Sequence, residues 1–345
     1  MNELSPLRFR VDAPHRLATP IHPDIARWRP LTVEDAPALA RLHSVADALD
    51  HPDWTMSEAE LKTRLGRASL DLAHDSIAGV TDAGDIVAYG VNFIDEHPET
   101  LVRVLLDGAI HPSVRGRGVG RQLLQWQRGR AQQQLAASDL ALPGWILSWQ
   151  SAANDSGVKL AQLLGFRPAR YVASLVRDLA APIPARETDA GIRVLPWDPA
   201  LSPTTLAAHR DAFRDHWGSQ PTSDARWLEL TTDEFFRGDL SFLAVSADDP
   251  QRVVGYALAT VLQHDFERQG YSSSYVDLVG TLREWRGRGV ASALLTRVLE
   301  ASKAAGLEKV VLDVDVENPT GAVGLYEALG FQPSGNRQVA LVLNY

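Results

Sequence analysis

Residues 275–295 read YVDLVGTLREWRGRGVASALL, and residues 104–124 read VLLDGAIHPSVRGRGVGRQLL. The two stretches share Arg-Gly-Arg-Gly-Val-(Gly/Ala), at 115–120 and 286–291, an offset of 171 positions in a chain of 345. Each follows an apolar run of strand character and precedes a helical pattern, 121–136 and 292–305. A second match follows each copy: Leu163-Leu164-Gly165-Phe166 mirrors Ala328-Leu329-Gly330-Phe331. Strand-type runs come next, at 170–176 and 338–343. A solenoid repeats every 20–50 residues or so, whereas this repeat is the size of a domain. Two similar units therefore stand in tandem. Between them, 180–185 reads Ala-Ala-Pro-Ile-Pro-Ala and runs into a polar stretch, a composition that suits an extended connector. The reading along the chain is a first unit at 1–180, a linker at 181–190 and a second unit at 191–345. Residues 1–24 hold four prolines and no clear period, and read as an arm lying over the surface of the first unit. Strands alternating with helices, with hairpin turns at 82–85 and 248–250, predict a mixed α/β sheet in each unit.

Composition bounds the chemistry. At 45% hydrophobic and 22% charged, the chain can bury two cores and is not disordered. No apolar run reaches the ~18 residues of a membrane span, and the first residues lack the apolar core of a secretory signal. The expectation is a cytoplasmic protein with no membrane partner. Cysteine is absent, which removes disulfides, thiolate zinc sites and cysteine nucleophiles. The histidines show no metal-ligand spacing, so no metal is expected. A net charge of −9 argues against a nucleic-acid partner, which would call for a basic footprint. The second half is the more acidic, with 15 Lys+Arg against 22 Asp+Glu over 186–345, a bias that favours a cationic or amine partner there. No Gly-x-Ser-x-Gly elbow is present, which sets a serine hydrolase aside.

The turn between strand and helix carries the strongest chemical signal. Gly116, Gly118, Gly120, Gly287 and Gly289 let the backbone approach a ligand closely. Free N–H groups at a helix N-terminus bind phosphate, and arginines within the turn add charge-assisted donors. Each unit thus presents a pyrophosphate cradle. A dinucleotide turn would place its third glycine one residue later, and a P-loop would carry Gly-Lys-Ser/Thr. The pattern that fits is Arg-x-x-Gly-x-(Gly/Ala).

That pattern, followed by Asn318-Pro319 and by Leu-Tyr-Glu-Ala-Leu-Gly-Phe at 325–331, resembles the GCN5-related N-acetyltransferase (GNAT) superfamily. The resemblance covers both halves and is the more specific in the second. It extends to the tandem, two-domain acetyltransferases of the mycothiol-synthase-like type. It implies two tandem GNAT-like acyl-CoA N-acyltransferase domains, acetyl-CoA as co-substrate and the amine of a small molecule as acceptor. It implies cofactor contacts at Arg286, Gly287, Arg288, Gly289, Val290 and Ala291, with Arg115, Gly116, Arg117, Gly118 and Gly120 matching them in the first unit. Main-chain groups of Leu278, Val279 and Thr281 would line the pantetheine arm and polarise the thioester. Asn318 would contact the cofactor as well as cap a helix that has proline at its first position. Tyr326 matches the general acid, since a phenol with a pKa of ~10 is protonated at neutral pH and can supply a proton to the leaving thiolate.

The first unit departs from the pattern. Aligning Gly165-Phe166 with Gly330-Phe331 puts Ala161 opposite Tyr326, and alanine has no proton to give. This unit is expected to keep a cradle with lost or weakened chemistry. For the base that deprotonates the amine, Asp277 on the strand leading to the cradle is the first candidate; Glu234, His216 and His264 are others. The mycothiol-type enzymes carry an acidic residue on this strand in the register of Tyr275. His216-Trp217 resembles an acceptor-lining loop, while Trp227, Phe235 and Phe236 read as core. Two other readings stay open: a different acyl donor or a hydroxyl acceptor, and a non-catalytic acyl-CoA sensor. A monomer or a homodimer fits equally.

Overall fold

The computed structural model describes residues 4–95, 97–185, 189–214, 216–317 and 322–345. In chain order the elements are β1 (Arg27–Arg29), α1 (Ala36–Asp50), α2 (Glu58–Leu65), α3 (Leu72–Asp75), β2 (Ser76–Val80), β3 (Ile86–Ile94), β4 (Val102–Ile110), α4 (Val119–Ala136), β5 (Gly144–Ser151), α5 (Asp155–Leu163) and β6 (Arg167–Asp178). They continue with β7 (Ile192–Pro196), α6 (Ser202–Ala212), α7 (Asp224–Thr232), β8 (Phe242–Ser246), β9 (Val253–Thr260), α8 (Phe266–Gln269), β10 (Ser273–Thr281), α9 (Val290–Ala304), β11 (Lys309–Asp315), α10 (Ala322–Ala328) and β12 (Gln332–Asn344).

Two compact units form, and their make-up does not simply follow the chain. One comprises residues up to Tyr171 together with Arg337–Tyr345; the other runs from Val172 to Asn336. In the first, the strand order is β1-β2-β3-β4-β5-β12, antiparallel throughout except for the parallel pair β4 and β5. In the second it is β7-β8-β9-β10-β11-β6, again antiparallel except for β10 and β11. The final strand of each sheet comes from the other half of the sequence. Residues 172–178 of β6 pair with β11, and residues 338–344 of β12 pair with β5. Both strands leave the same Leu-Gly-Phe turn and carry similar apolar patterns. The two equivalents are exchanged between the halves of the sequence, as swapped elements are. Contiguous units at 1–180 and 191–345 would have kept each strand at home.

In the second unit β8 and β9 are buried along their whole length, which requires cover on both faces. On one face α9 lays down Val290, Leu294, Leu295, Val298 and Leu299 against Ala257, Ala259, Val276 and Leu312. On the other, Leu206 of α6 and Trp227 of α7 meet Leu243, Tyr256 and Leu258. A polar bond on this second face recurs in both units. His209 Nδ1 lies 2.6 Å from the Tyr256 hydroxyl, and His43 Nε2 lies 2.7 Å from the Tyr89 hydroxyl. Each ties the first long helix of its unit to the central strand. His209 also meets the Thr222 hydroxyl at 2.9 Å, and burial lowers its imidazole to about 4, which leaves it neutral.

The N-terminal arm is not confined to the surface of its unit. Leu7 is fully buried, Val11 nearly so, and the Leu7 amide donates to the Leu140 carbonyl. A single 3-10 turn over Leu7–Phe9 brings these two apolar side chains to one side, a pattern too short to register as a period. Among the described residues, no helix is long and apolar enough to cross a membrane.

The Tyr256 ring is packed so closely on β10 that a Cβ added to Gly280 would stand 2.4 Å from its hydroxyl. Gly280→Ala is therefore expected to lower the thermal unfolding midpoint, by the ~1–3 kcal/mol typical of overpacking. Adding Tyr256→Phe to the same chain is expected to recover part of the loss.

Candidate active site

The site of the second unit begins where its two parallel strands part. β10 pairs with β11 only from Ser273 to Val276, against Lys309–Leu312. Beyond that, β11 continues along β6 and β10 continues along β9 as far as Thr281. The β9–β10 register shifts between Val276 and Leu278, so Asp277 is the extra residue of a β-bulge. Leu278, Val279 and Thr281 all lie past the parting, where one edge of β10 has no strand partner.

The chain then turns through Arg283–Trp285 into α9. Gly287 and Gly289 have φ of 76° and 78°, the left-handed region that glycine alone enters without strain. Nothing stands within 4 Å of a Cβ built on Gly287. Helix α9 opens at Gly289 with no side chain capping it, so its first N–H groups are free to meet an anion. Val290 is buried beneath the turn, and Ala291 is half-buried beside it. Arg286 is exposed and donates only to main-chain carbonyls, Thr281 O at 3.3 Å and Ala212 O at 3.1 Å. The Arg288 guanidinium lies over the Trp285 ring at 4.8 Å. Thr281 Oγ1 and Trp285 Nε1 are buried without a hydrogen-bond partner among the described residues. Buried polar atoms are seldom left so. Two orphaned polar atoms, an uncapped helix and a side-chain-free turn together fit a nucleotide pyrophosphate and the polar arm behind it.

Two titratable groups of this unit have displaced acidities. Asp277 is open to solvent yet hemmed in by protein, and that enclosure pushes its carboxyl up to about 7. A hydrogen bond from the Thr260 hydroxyl opposes the rise, the Asp233 carboxylate adds to it, and Asp277's own backbone amide and Arg226 oppose it. These neighbours place Asp277 on the side of the sheet that carries α7. Tyr326 is 5% exposed. Burial alone pushes its phenol up to about 12.

The position of Tyr326 follows from how α10 ends. The Phe331 amide donates to Tyr326 O and the Gly330 amide to Glu327 O, with Gly330 at φ 84°. This is a Schellman cap, in which an apolar contact joins the residue after the glycine to the one five positions before. Here that contact is the edge-to-face pair of Tyr326 and Phe331, 5.9 Å between centroids. The first unit ends α5 in the same way, Phe166 N to Ala161 O and Gly165 N to Gln162 O. Ala161 thus occupies the position of Tyr326.

The first unit's turn has the same backbone and different company. Gly116 and Gly118 have φ of 74° and 102°, and Gly120 packs beneath Leu160. Arg115 forms a two-pronged ion pair with Asp50, both contacts at 2.8 Å. Arg117 reaches Asp24 of the arm at 3.5 Å, and the arm's buried His22 holds the Arg117 carbonyl at 2.9 Å. On β4, Asp107 is paired with Arg64 of α2 at 2.8 Å. Asn154 caps α5, accepting the Gly157 amide at 3.0 Å.

Of the other residues singled out from the sequence, Glu234 and His216 are exposed and Trp217 is half-buried. The Phe213 and His216 rings meet at 5.3 Å. His264 sits on Phe235 at 5.5 Å and 3.8 Å from Asp265. Trp227 is core, while Phe235 and Phe236 are half-buried. Asn318 lies outside the described residues. Sequence reasoning missed Thr260, Asp233 and Arg226 around Asp277, because no local motif links β9, α7 and β10. It also missed the pairing of Arg115 and Arg117 with Asp50 and Asp24.

Comparison with known proteins points to one family. Residues 204–331 match the family described as Acetyltransferase (GNAT) family. A mycothiol acetyltransferase of Thermobispora bispora is 32% identical over 225 residues, covering 64% of this chain and 70% of that protein. One from Renibacterium salmoninarum is 26% identical over 298 residues, covering 85% and 83%. Among solved structures, a GCN5-related N-acetyltransferase from Sphaerobacter thermophilus superposes with a TM-score of 0.69 at 28% identity, over 96% of this chain and 97% of that one. A tandem GNAT protein from the clavulanic acid biosynthesis pathway shares the fold, with a TM-score of 0.68 at 18% identity over 92% and 98%.

The raised carboxyl of Asp277 has a consequence for stability. Folding keeps a proton on it that the unfolded chain loses near 3.8. Between roughly pH 4 and pH 7 the unfolded state therefore binds fewer protons, and stability falls as pH rises. Asp277→Asn removes that dependence. Its unfolding midpoint is expected to gain on the parent from pH 4 to pH 7 and to hold a constant lead above about pH 8.

Proposed function

This chain belongs to the acetyltransferase (GNAT) family of acyl-CoA-dependent N-acetyltransferases, and we propose that its second unit moves an acetyl group from acetyl-CoA to the primary amine of a small molecule. One contrast carries the reading. Among the described residues no carboxylate pairs with Arg286 or Arg288, whereas Arg115 and Arg117 are both taken by aspartates. Among the described residues, the second unit's turn is the one whose arginines meet no carboxylate.

Acetyl-CoA supplies an acyl group already activated as a thioester. Arg286, Arg288 and the amides of Gly287, Gly289, Val290 and Ala291 hold its pyrophosphate. Alternation along β10 turns the main-chain groups of Leu278 toward β9 and those of Val279 and Thr281 toward the edge left free by the parting of the strands; the latter take the pantetheine arm, with Leu278 lining it by its side chain. An amide of Val279 aimed at the developing oxyanion is worth ~3 kcal/mol by analogy with oxyanion holes. Asp277 takes the proton from the acceptor's ammonium. A carboxyl at about 7 is half ionised at neutral pH and basic enough to do so. The amine attacks the thioester carbonyl, the C–S bond breaks as Tyr326 gives its proton to the departing sulfur, and the second proton on nitrogen leaves through solvent to restore the phenol. A phenol at about 12 stays protonated until that moment. His216, Trp217 and Glu234 line the acceptor.

The first unit carries no turnover, since Ala161 has no proton and the turn arginines are engaged. The relatives' names make a mycothiol-related amine the first acceptor to try.

Tyr326→Phe is expected to lower kcat by about 10²-fold, in the range of general acid–base catalysis, in a coupled assay of CoA release. In the parent, kcat/KM is expected to climb with pH and level off above about 7. In Asp277→Asn it is expected to be some 10²-fold lower and to lack that limb. Calorimetric titration is expected to count one acetyl-CoA per chain. Arg286→Ala is expected to weaken that binding by roughly 10–100-fold, the loss of a charge-assisted bond. A second equivalent that survives Arg286→Ala would assign binding to the first unit.

A further inference from the structure

Arg177, on the part of β6 that joins the second unit, is 3% exposed. A buried guanidinium is normally paired with an acid. This one meets no carboxylate among the described residues and spends its donors on main-chain carbonyls. Nε donates to Leu329 O at 2.7 Å, Nη2 to Pro182 O at 2.6 Å and, more weakly, to Ala181 O at 3.5 Å, and Nη1 to Asp178 O.

Leu329 lies three residues beyond Tyr326, at the C-terminal end of α10. Carbonyls there have no partner within the helix and form its negative pole, where a cation is favoured. Gly330 leaves room for the contact: a Cβ at that position would stand 2.8 Å from Arg177 Nε. The glycine of the Leu-Gly-Phe motif therefore serves twice, once for its backbone angle and once as the seat of this side chain.

In the first unit the corresponding carbonyl, Leu164 O, is also held by an arginine, at 3.0 Å. That donor is Arg128 of the unit's own helix α4. The position 171 further on is the fully buried Leu299. The strand residue packed on Gly165 is Leu343 of β12, 3.5 Å from a Cβ built there. In the unit with Tyr326, the donor has moved from the helix to the strand contributed by the other half of the chain, and it also grips the first residues of the linker.

We propose that Arg177 is a positioning residue for Tyr326, fixing the end of α10 so that the phenol stays packed on Phe331 and held toward the reacting sulfur. The proposal rests on the reading of Tyr326 as the acid, so its test has one readout that does not.

Arg177→Met is made in the full chain, in the parent and in Tyr326→Phe. In the parent it is expected to cost at least tenfold in kcat, with the KM for acetyl-CoA within twofold. In Tyr326→Phe it is expected to cost less than twofold, because the group it serves is gone. The Tyr326 phenol is titrated as the difference in absorbance at about 295 nm between chains with Tyr326 and with Phe. Arg177→Met is expected to bring it down from about 12 toward the ordinary ~10. Arg177→Lys, which keeps a donor, is expected to restore part of both. Equal losses of kcat in the two backgrounds, or an unmoved titration, would reduce Arg177 to a structural tie and overturn the proposal. If Tyr326→Phe alone leaves kcat unchanged, the acid assignment fails, and the titration decides whether Arg177 positions the ring. Should Arg177→Met not fold, Arg177→Gln removes the charge and shortens the reach while leaving the Gly330 backbone untouched, and the same outcomes decide.

Discussion

Everything in the second unit's site depends on two parallel strands that stop pairing. Up to Val276, β10 and β11 share a ladder; one residue later a bulge turns β10 away. A sheet that stayed paired would have no main-chain groups to spare at Val279 and Thr281 and no gap for an extended chain to enter. The bulge also sets Asp277 outside the regular alternation. Its carboxyl then lies beside Thr260, Asp233 and Arg226 rather than against α9. One irregularity thus frees an edge of β10 and places a raised carboxyl beside it.

The duplicated first unit shows which parts of this arrangement are scaffold. It has the same strand order, the same glycine turn, the same helix ending and the same His–Tyr bond between helix and sheet. It differs in how its charges are satisfied. Asp50 and Asp24 each neutralise an arginine whose counterpart meets no carboxylate among the described residues of the second unit, and Ala161 stands in for the tyrosine. A binding site needs groups with unmet demand, and internal ion pairs remove that demand without disturbing the fold.

The exchange of β6 and β12 changes what a unit is in this protein. The sheet that carries Asp277, and on whose core Tyr326 of α10 packs, is completed by residues 172–178, which precede the linker. Arg177 belongs to that borrowed strand. The second unit is thus built from more than the second half of the sequence, and a boundary drawn at the proline-rich linker would cut away the strand next to β11.

The glycines at 287, 289 and 330, the strand–turn–helix order, the repeat and the alignment of Ala161 with Tyr326 were all legible in the sequence. Each is a local matter, since a positive φ, a helix start or a Schellman ending is decided within about six residues. The structure alone decided which strand completes which sheet, that the arm's Leu7 is core, that two of the four turn arginines are neutralised, and that Asp277 is enclosed. Strands of like pattern have no local preference between equivalent edges. The partner of a charge, and the water left around it, are set by residues tens of positions away that only folding brings together.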